Sequence, residues 1–340
     1  MFKTAVATAA TATLLALALA PPVVGQDADS PSTPPPASAV GASPWGAQDE
    51  LGRLNLMTDE SRAAILARVA GGTVHDLGVE YFIGMPGWFP AGDPRYQMWM
   101  THTPNGTVVD DPMGVGREAN ELVSYTGTAL SMYAHTGTHI DALNHFGLGG
   151  QIYNGFSSED HLGDRGWTRT GAETLPPIVA RGVLIDLPAA KGVEMLAPGY
   201  RISGDDLAEA LERQSTELAE GDVVLVRTGR MRVFDDADAF LDDAPGLDLD
   251  GARYLVERGA MVIGADNLSL EVFPSSFDPN YIPVHTFLLA EHGVPIMEMV
   301  DTESLAAEGV HEFAFIAAGP KLRGMDATVL RPIALPIRPQ

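Results

Sequence analysis

The chain has 340 residues, 45% of them hydrophobic, so it can bury a full core, and its length allows one large domain or two small ones. Its 21 basic residues stand against 45 acidic ones, and the formal charge of −24 argues against nucleic acid and anionic lipid surfaces as partners. With no cysteine, disulfides, thiolate metal sites and cysteine nucleophiles are excluded, and any metal must be held by imidazole and carboxylate.

The N-terminus reads as a separate object. "MFKTAVATAATATLLALALAPPVVG" carries an early Lys3, an apolar Ala/Leu run and then small residues, the layout of a signal peptide over residues 1–25. That apolar run is short for a spanning helix, and no later stretch reaches the ~20 apolar residues that spanning needs. Export to the periplasm or medium is therefore expected. Residues 26–43 are rich in Pro, Ser and Ala and read as a disordered spacer. Folded sequence is expected over 44–340 as a single catalytic domain, opening near "WGAQDELGRLNLMTDE".

Up to about residue 134 the chain is rich in glycine and proline, with short strand-like runs such as "ALSMYAH". Trp88 and Phe89, after "GMPG", are candidates for one wall of an apolar pocket for a flat substrate, although aromatics beside Gly and Pro equally often pack in a core. Further on, the pattern becomes regular. "GVLIDL" (182–187) and "DVVLVRT" (222–228) are β-branched runs that predict buried strands. Between them Ser203 caps a segment with Leu207, Leu211 and Leu218 on one face, which predicts an amphipathic helix stopping at Gly221. "DGARYLVERG" predicts the next helix and "AMVIGAD" the next strand. This alternation implies a local parallel α/β layer, and the different N-terminal half makes a mixed sheet the expected fold class. Asp266 and Ser269 follow a strand, where α/β proteins bind ligands, and serve equally well to cap the turn.

"HTGTHIDALNH", residues 135–145, holds three of the nine histidines. His135, His139, Asp141 and His145 would share one face of an extended segment. Four extended residues span roughly 13 Å, too far for two ligands of one ion at bonds of ~2 Å, so the chain must turn between His135 and His139. Gly137 supplies the position for that turn. A helix would also join the two histidines, but Thr136, Gly137, Thr138 and Ile140 are poor helix formers. Two imidazoles and a carboxylate make a facial set with open positions on a divalent ion, which is what catalysis needs. Zinc or manganese suits nitrogen and oxygen donors without thiolate. Read alone, His285 would cap a helix and Glu298 would be a solvated strand residue. The imidazole of His292, at a helix C-terminus, would suit the dipole as a cation. His75, His102, His161 and His311 carry no pattern and read as structural.

The stretch "SMYAHTGTHIDALNHF" closely resembles the signature of the cyclase family that includes kynurenine formamidases and isatin hydrolases, roughly H-x-G-T-H-x-D-x-x-x-H. "GMPGWFP", "GDVVLVRTG", "VIGADNLSLE" and "PVHTFLLAEHGVPIMEMV" fall in the family's order. The resemblance implies a mixed α/β domain with a swivelling β/β/α-type core, assembled as a homodimer or homotetramer. It implies one or two divalent ions: His135, His139 and Asp141 as ligands of the first, and Asp141, His285 and Glu298 around a second. His145 would transfer protons, and Glu298 could share that task. The expected activity is hydrolysis of a carboxamide-type C–N bond in a small apolar or aromatic substrate: an aryl formamide, lactam or cyclic imide. A lyase, ring-closing cyclase or lactone hydrolase would use the same ligands, and an exported metal- or solute-binding protein would need no proton-transfer residue.

Overall fold

The computed structural model describes residues 39–338 apart from 276 and 278. The expected signal peptide and most of the spacer lie outside the described residues. Residues 39–43 do not: the amide of Gly41 donates to the carbonyl of Ala290 at 2.9 Å, and a Cβ at Gly41 would sit 1.9 Å from the Glu291 carbonyl oxygen. The packed part of the chain therefore reaches back beyond Pro44.

Nine strands form one mixed sheet: β1 (His75–Asp76), β2 (His139–Asp141), β3 (Ile178–Asp186), β4 (Val223–Arg227), β5 (Val262–Ala265), β6 (Ile296–Glu298), β7 (Glu312–Ala317), β8 (Ala327–Val329) and β9 (Ile333–Pro336). Their spatial order is β1-β9-β7-β3-β4-β5-β6-β2-β8. The pairs β3/β4, β4/β5 and β5/β6 are parallel, and every other pair is antiparallel. The expected mixed α/β fold is what forms.

The parallel centre explains itself from its residues. All five residues of β4 and all four of β5 are buried, as in parallel strands covered on both faces. Alternation then sorts them. Val224, Val226 and Ile263 pack on one side with Leu207, Leu211 and Leu255, while Val223, Leu225 and Val262 pack on the other with Phe313 and Phe315.

Helix α1 (Asp59–Arg68) opens on a Thr58–Ser61 capping box, and helix α2 (Gly204–Gln214) on a Ser203–Asp206 box. The end of α2 corrects the sequence expectation of a helix running to Gly221. Ser215 adopts a left-handed conformation, φ 53°, and its amide returns to the Glu212 and Leu211 carbonyls. Leu218 packs on the core from the loop that follows. Helix α3 (Leu249–Glu257) lies beside α2 and turns Leu249, Ala252, Leu255 and Val256 inward.

The segment "ALSMYAH" supplies a strand, Gly127–Ser131, but it pairs with Gln97–His102 in a separate two-stranded ribbon. No described helix is long and apolar enough to cross a membrane.

Candidate metal centre

Strand β2 lies between β6 and β8, and this register gathers the site. His139 and Asp141 are two apart and share a face, and Glu298 on β6 is the direct partner of His139. His139 Nε2 lies 3.4 Å from Glu298 Oε2 and 3.3 Å from Asp141 Oδ1. The chain turns at Gly137, φ +63°, and brings the His135 ring to 5.0 Å from that of His139 between centroids. A Cβ at Gly137 would meet the Tyr81 ring at 2.4 Å, so glycine is required twice over. Tyr81 in turn clamps the loop, its hydroxyl lying within hydrogen-bond reach of the Thr136 and Thr138 carbonyls.

In the second segment, Pro283–His285 opens a helical stretch that continues over Thr286–Glu291, and β6 follows with Glu298 buried, not solvated. His285 Nε2 lies 3.2 Å from Glu298 Oε1 and 4.0 Å from Asp141 Oδ2. The structure thus brings His135, His139, Asp141, His285 and Glu298 into one cluster, each at most 6% exposed.

His145 stands at its edge, its ring 3.9 Å from that of His135 between centroids. Asp326, just before β8, was not singled out from sequence. Its Oδ2 lies 3.5 Å from His135 Nε2 and 3.6 Å from His145 Nδ1. Glu271, also missed, is 2.6 Å from His285 Nδ1. Neither carboxylate sits in a local motif, so only the fold reveals them.

The fit of this cluster to a cation can be judged from its own atoms. His135 Nε2, His139 Nε2 and both carboxylate oxygens of Asp141 are buried without a well-aligned hydrogen bond, their polar neighbours being one another and the adjoining carboxylates, with His135 Nδ1 2.8 Å from Asp141 Oδ1. Crowding imidazoles and carboxylates together out of water with imperfectly aligned hydrogen bonds is costly, and a divalent ion bound among them would offset that cost. His139 Nδ1 donates to the Gly137 carbonyl at 2.7 Å, which fixes the ring with Nε2 turned toward the cluster, the nitrogen that a metal would take in place of a proton. His135, His139 and Asp141 form one compact donor group, and Asp141, His145 and His285 form another. The residues fit.

Charge in the metal-free cluster is balanced by protons. Burial opposes it, yet Asp141 and Glu298 lift His139 to about 10, and Glu271 and Glu298 lift His285 to about 10. Burial likewise opposes ionisation of Asp141, but His135 and His145 hold its carboxyl well below the usual range. His145 behaves differently: burial and the neighbouring His135 push it down, so its ring is neutral at neutral pH. Burial notwithstanding, His135 and His145 hold the Asp326 carboxyl far below the ordinary carboxylate range.

A cavity of about 280 Å³ opens onto the cluster at His145, His285 and Glu298. Trp88, Phe146 and Phe273 line it, with the Trp88 and Phe273 rings 5.6 Å apart. Asp93 is in the lining, and among the described residues no lysine or arginine is. Phe89 is not in the lining either: its ring lies under the Arg95 guanidinium at 4.1 Å and against Gly87. Ser269 reaches the cavity, whereas Asp266 caps a turn, accepting from the amides of Thr228, Gly229 and Arg230.

A larger cavity, about 570 Å³, is lined by Trp45, Arg53 and His292 and includes none of the cluster residues. Here the sequence reading of His292 as a cation is corrected. Burial, with Arg53 and Arg253 nearby, pushes its ring down to about 4, so it is neutral at neutral pH.

Fold and cluster together define a mixed α/β protein with a buried imidazole–carboxylate centre under an aromatic cavity. The cyclase family profile matches residues 75–272, and the chain belongs to that family. Among solved structures, a novel cyclase is 29% identical with a TM-score of 0.76, covering 86% of this chain and 96% of that one. Isatin hydrolase A from Ralstonia solanacearum shares 21% identity at a TM-score of 0.59, over 77% of this chain and 91% of its own. Isatin hydrolase A from Labrenzia aggregata, bound to benzyl benzoate, shares 18% at 0.58, over 78% and 94%. The two hydrolases show the same fold. No curated protein matches the chain in sequence.

Proposed function

We propose that this protein is a metal-dependent hydrolase of carboxamide-type C–N bonds, acting on an aryl formamide, lactam or cyclic imide. The observation that carries the reading is the convergence of buried donor atoms on His135, His139 and Asp141 beside a neutral His145, at the base of an aromatic cavity. His135, His139 and Asp141 would hold one zinc or manganese ion, and Asp141, His285 and Glu298 border the place for a second. Bound there, a divalent ion supplies Lewis acidity toward a carbonyl oxygen and brings water at an open position toward a pKa of about 7.

The chain's own residues supply the rest. Trp88 and Phe273 orient a flat substrate with its carbonyl toward the cluster. Nδ1 of His145 faces Asp326, which leaves Nε2 as the nitrogen that takes a proton from attacking water and returns it to the leaving nitrogen. Glu298, beside His139 and His285, is a second place to hold that proton. With Asp93 in the wall and no lysine or arginine among the described lining residues, the cavity favours neutral substrates over anionic ones.

The test is metal analysis of purified protein combined with a panel of aryl formamides, lactams, imides and lactones. Hydrolysis adds one water to the product mass, and a cyclase would remove one. Bound metal without turnover on any member would replace the enzyme reading by a binding protein. Export from the cell, and assembly as a homodimer or homotetramer, belong to the same proposal; N-terminal sequencing and sedimentation test them.

A further inference from the structure

His285 is held from behind by a carboxylate that never reaches the cavity. Glu271 is 1% exposed, and its Oε1 lies 2.6 Å from His285 Nδ1 while accepting from the His285 amide at 2.9 Å. Its Oε2 accepts from the Val284 amide at 3.3 Å. The backbone on either side is pinned, because the Leu247 amide donates to the Leu270 carbonyl and the Val272 amide donates to the Leu247 carbonyl. Glu271 is therefore a rigid acceptor, and a rigid acceptor at Nδ1 decides which ring nitrogen carries the proton.

We infer that Glu271 is a positioning residue that keeps His285 protonated on Nδ1 and presents Nε2 to Asp141 and Glu298. This rests on the reading of His285 as part of the reactive cluster. The comparison within the cluster sharpens it: His139 is oriented by a neutral carbonyl, that of Gly137, whereas His285 is oriented by a carboxylate. An anionic acceptor raises the donor strength of the opposite nitrogen, so Glu271 tunes one side of the centre more strongly than the other. Capping of the Pro283–His285 turn through the two amides would account for the backbone contacts, but not for the short approach to the ring.

The experiment uses the full chain, labelled with 15N-histidine and titrated with zinc alone. In wild type the His285 Nδ1 proton is expected as a strongly deshielded resonance, and in Glu271→Gln that deshielding is lost. Zinc affinity at the site that includes His285 is expected to fall roughly 10–100-fold. A purely capping role predicts lower thermal stability with both readouts unchanged, and that result overturns the inference. Should Glu271→Gln fail to fold, the wild-type spectrum decides: a proton on Nε2 with Nδ1 bare overturns it equally. His285→Ala separates the two levels. Unchanged zinc binding there removes His285 from the metal reading, while the His285 Nδ1 proton resonance, compared between wild type and Glu271→Gln, still judges Glu271 by itself.

Discussion

His139 and Glu298 are direct cross-strand partners on β2 and β6, and their facing atoms, Nε2 and Oε2, stand 3.4 Å apart. The ladder, and not a flexible loop, sets that separation. With Asp141 two residues along the same face, the donor set is preformed. Replacing His139 or Asp141 by alanine is expected to abolish bound divalent metal and activity together, read by metal analysis and turnover on one preparation. Full metal occupancy in both variants would refute the assignment.

The turn that brings His135 back is equally specific. Gly137→Ala places a methyl group in the left-handed region and into the Tyr81 ring. Strain of this kind costs about 1–3 kcal/mol, and the displaced loop should also weaken metal binding. Tyr81→Phe serves as the milder control, since it removes only the hydroxyl contacts to Thr136 and Thr138. Denaturant midpoints and metal affinity check this; an alanine variant with wild-type values for both is the contrary outcome.

What the sequence could show follows from how local each feature is. The parallel strands were legible because residues buried on both faces leave uninterrupted apolar runs, as in "DVVLVRT". His135, His139 and Asp141 were legible because one turn and one short strand set their geometry. Glu271 and Asp326 were not, because each acquires its meaning from a histidine on another element. Trp88 lines the cavity but its neighbour Phe89 does not, since consecutive side chains diverge and the pattern "GMPGWFP" does not say which one faces inward. The end of α2 was misplaced because a serine, and not the expected glycine, takes the left-handed position.

Stability should depend on pH through His292. Its pKa falls from an unfolded value of about 6.5 to about 4 in the folded protein, because burial and two nearby arginines disfavour the charged ring. Between those values the unfolded chain binds the extra proton, so stability is fully present above about pH 6.5 and is lost as pH falls toward 4. His292→Gln removes this titration. Urea midpoints at pH 7 and pH 4.5 should therefore drop further for wild type than for the variant, and equal drops would dismiss the claim.

His145 separates proton transfer from metal binding. Its ring stacks beside His135, Nδ1 faces Asp326 at 3.6 Å, and burial beside His135 keeps it neutral at neutral pH. It also lies close enough to Asp141 and His285 to complete a donor group, so the two roles must be told apart by measurement. If it moves protons, His145→Ala keeps its metal while kcat falls by roughly 10²–10⁴, the usual contribution of a general acid–base group. One limb of the pH–rate profile should disappear with it. If metal content and kcat fall in proportion, His145 is a ligand, and the proton passes through Glu298 instead. Retention of both metal and full activity rules out either role, and measuring both quantities on the same preparation leaves no outcome ambiguous.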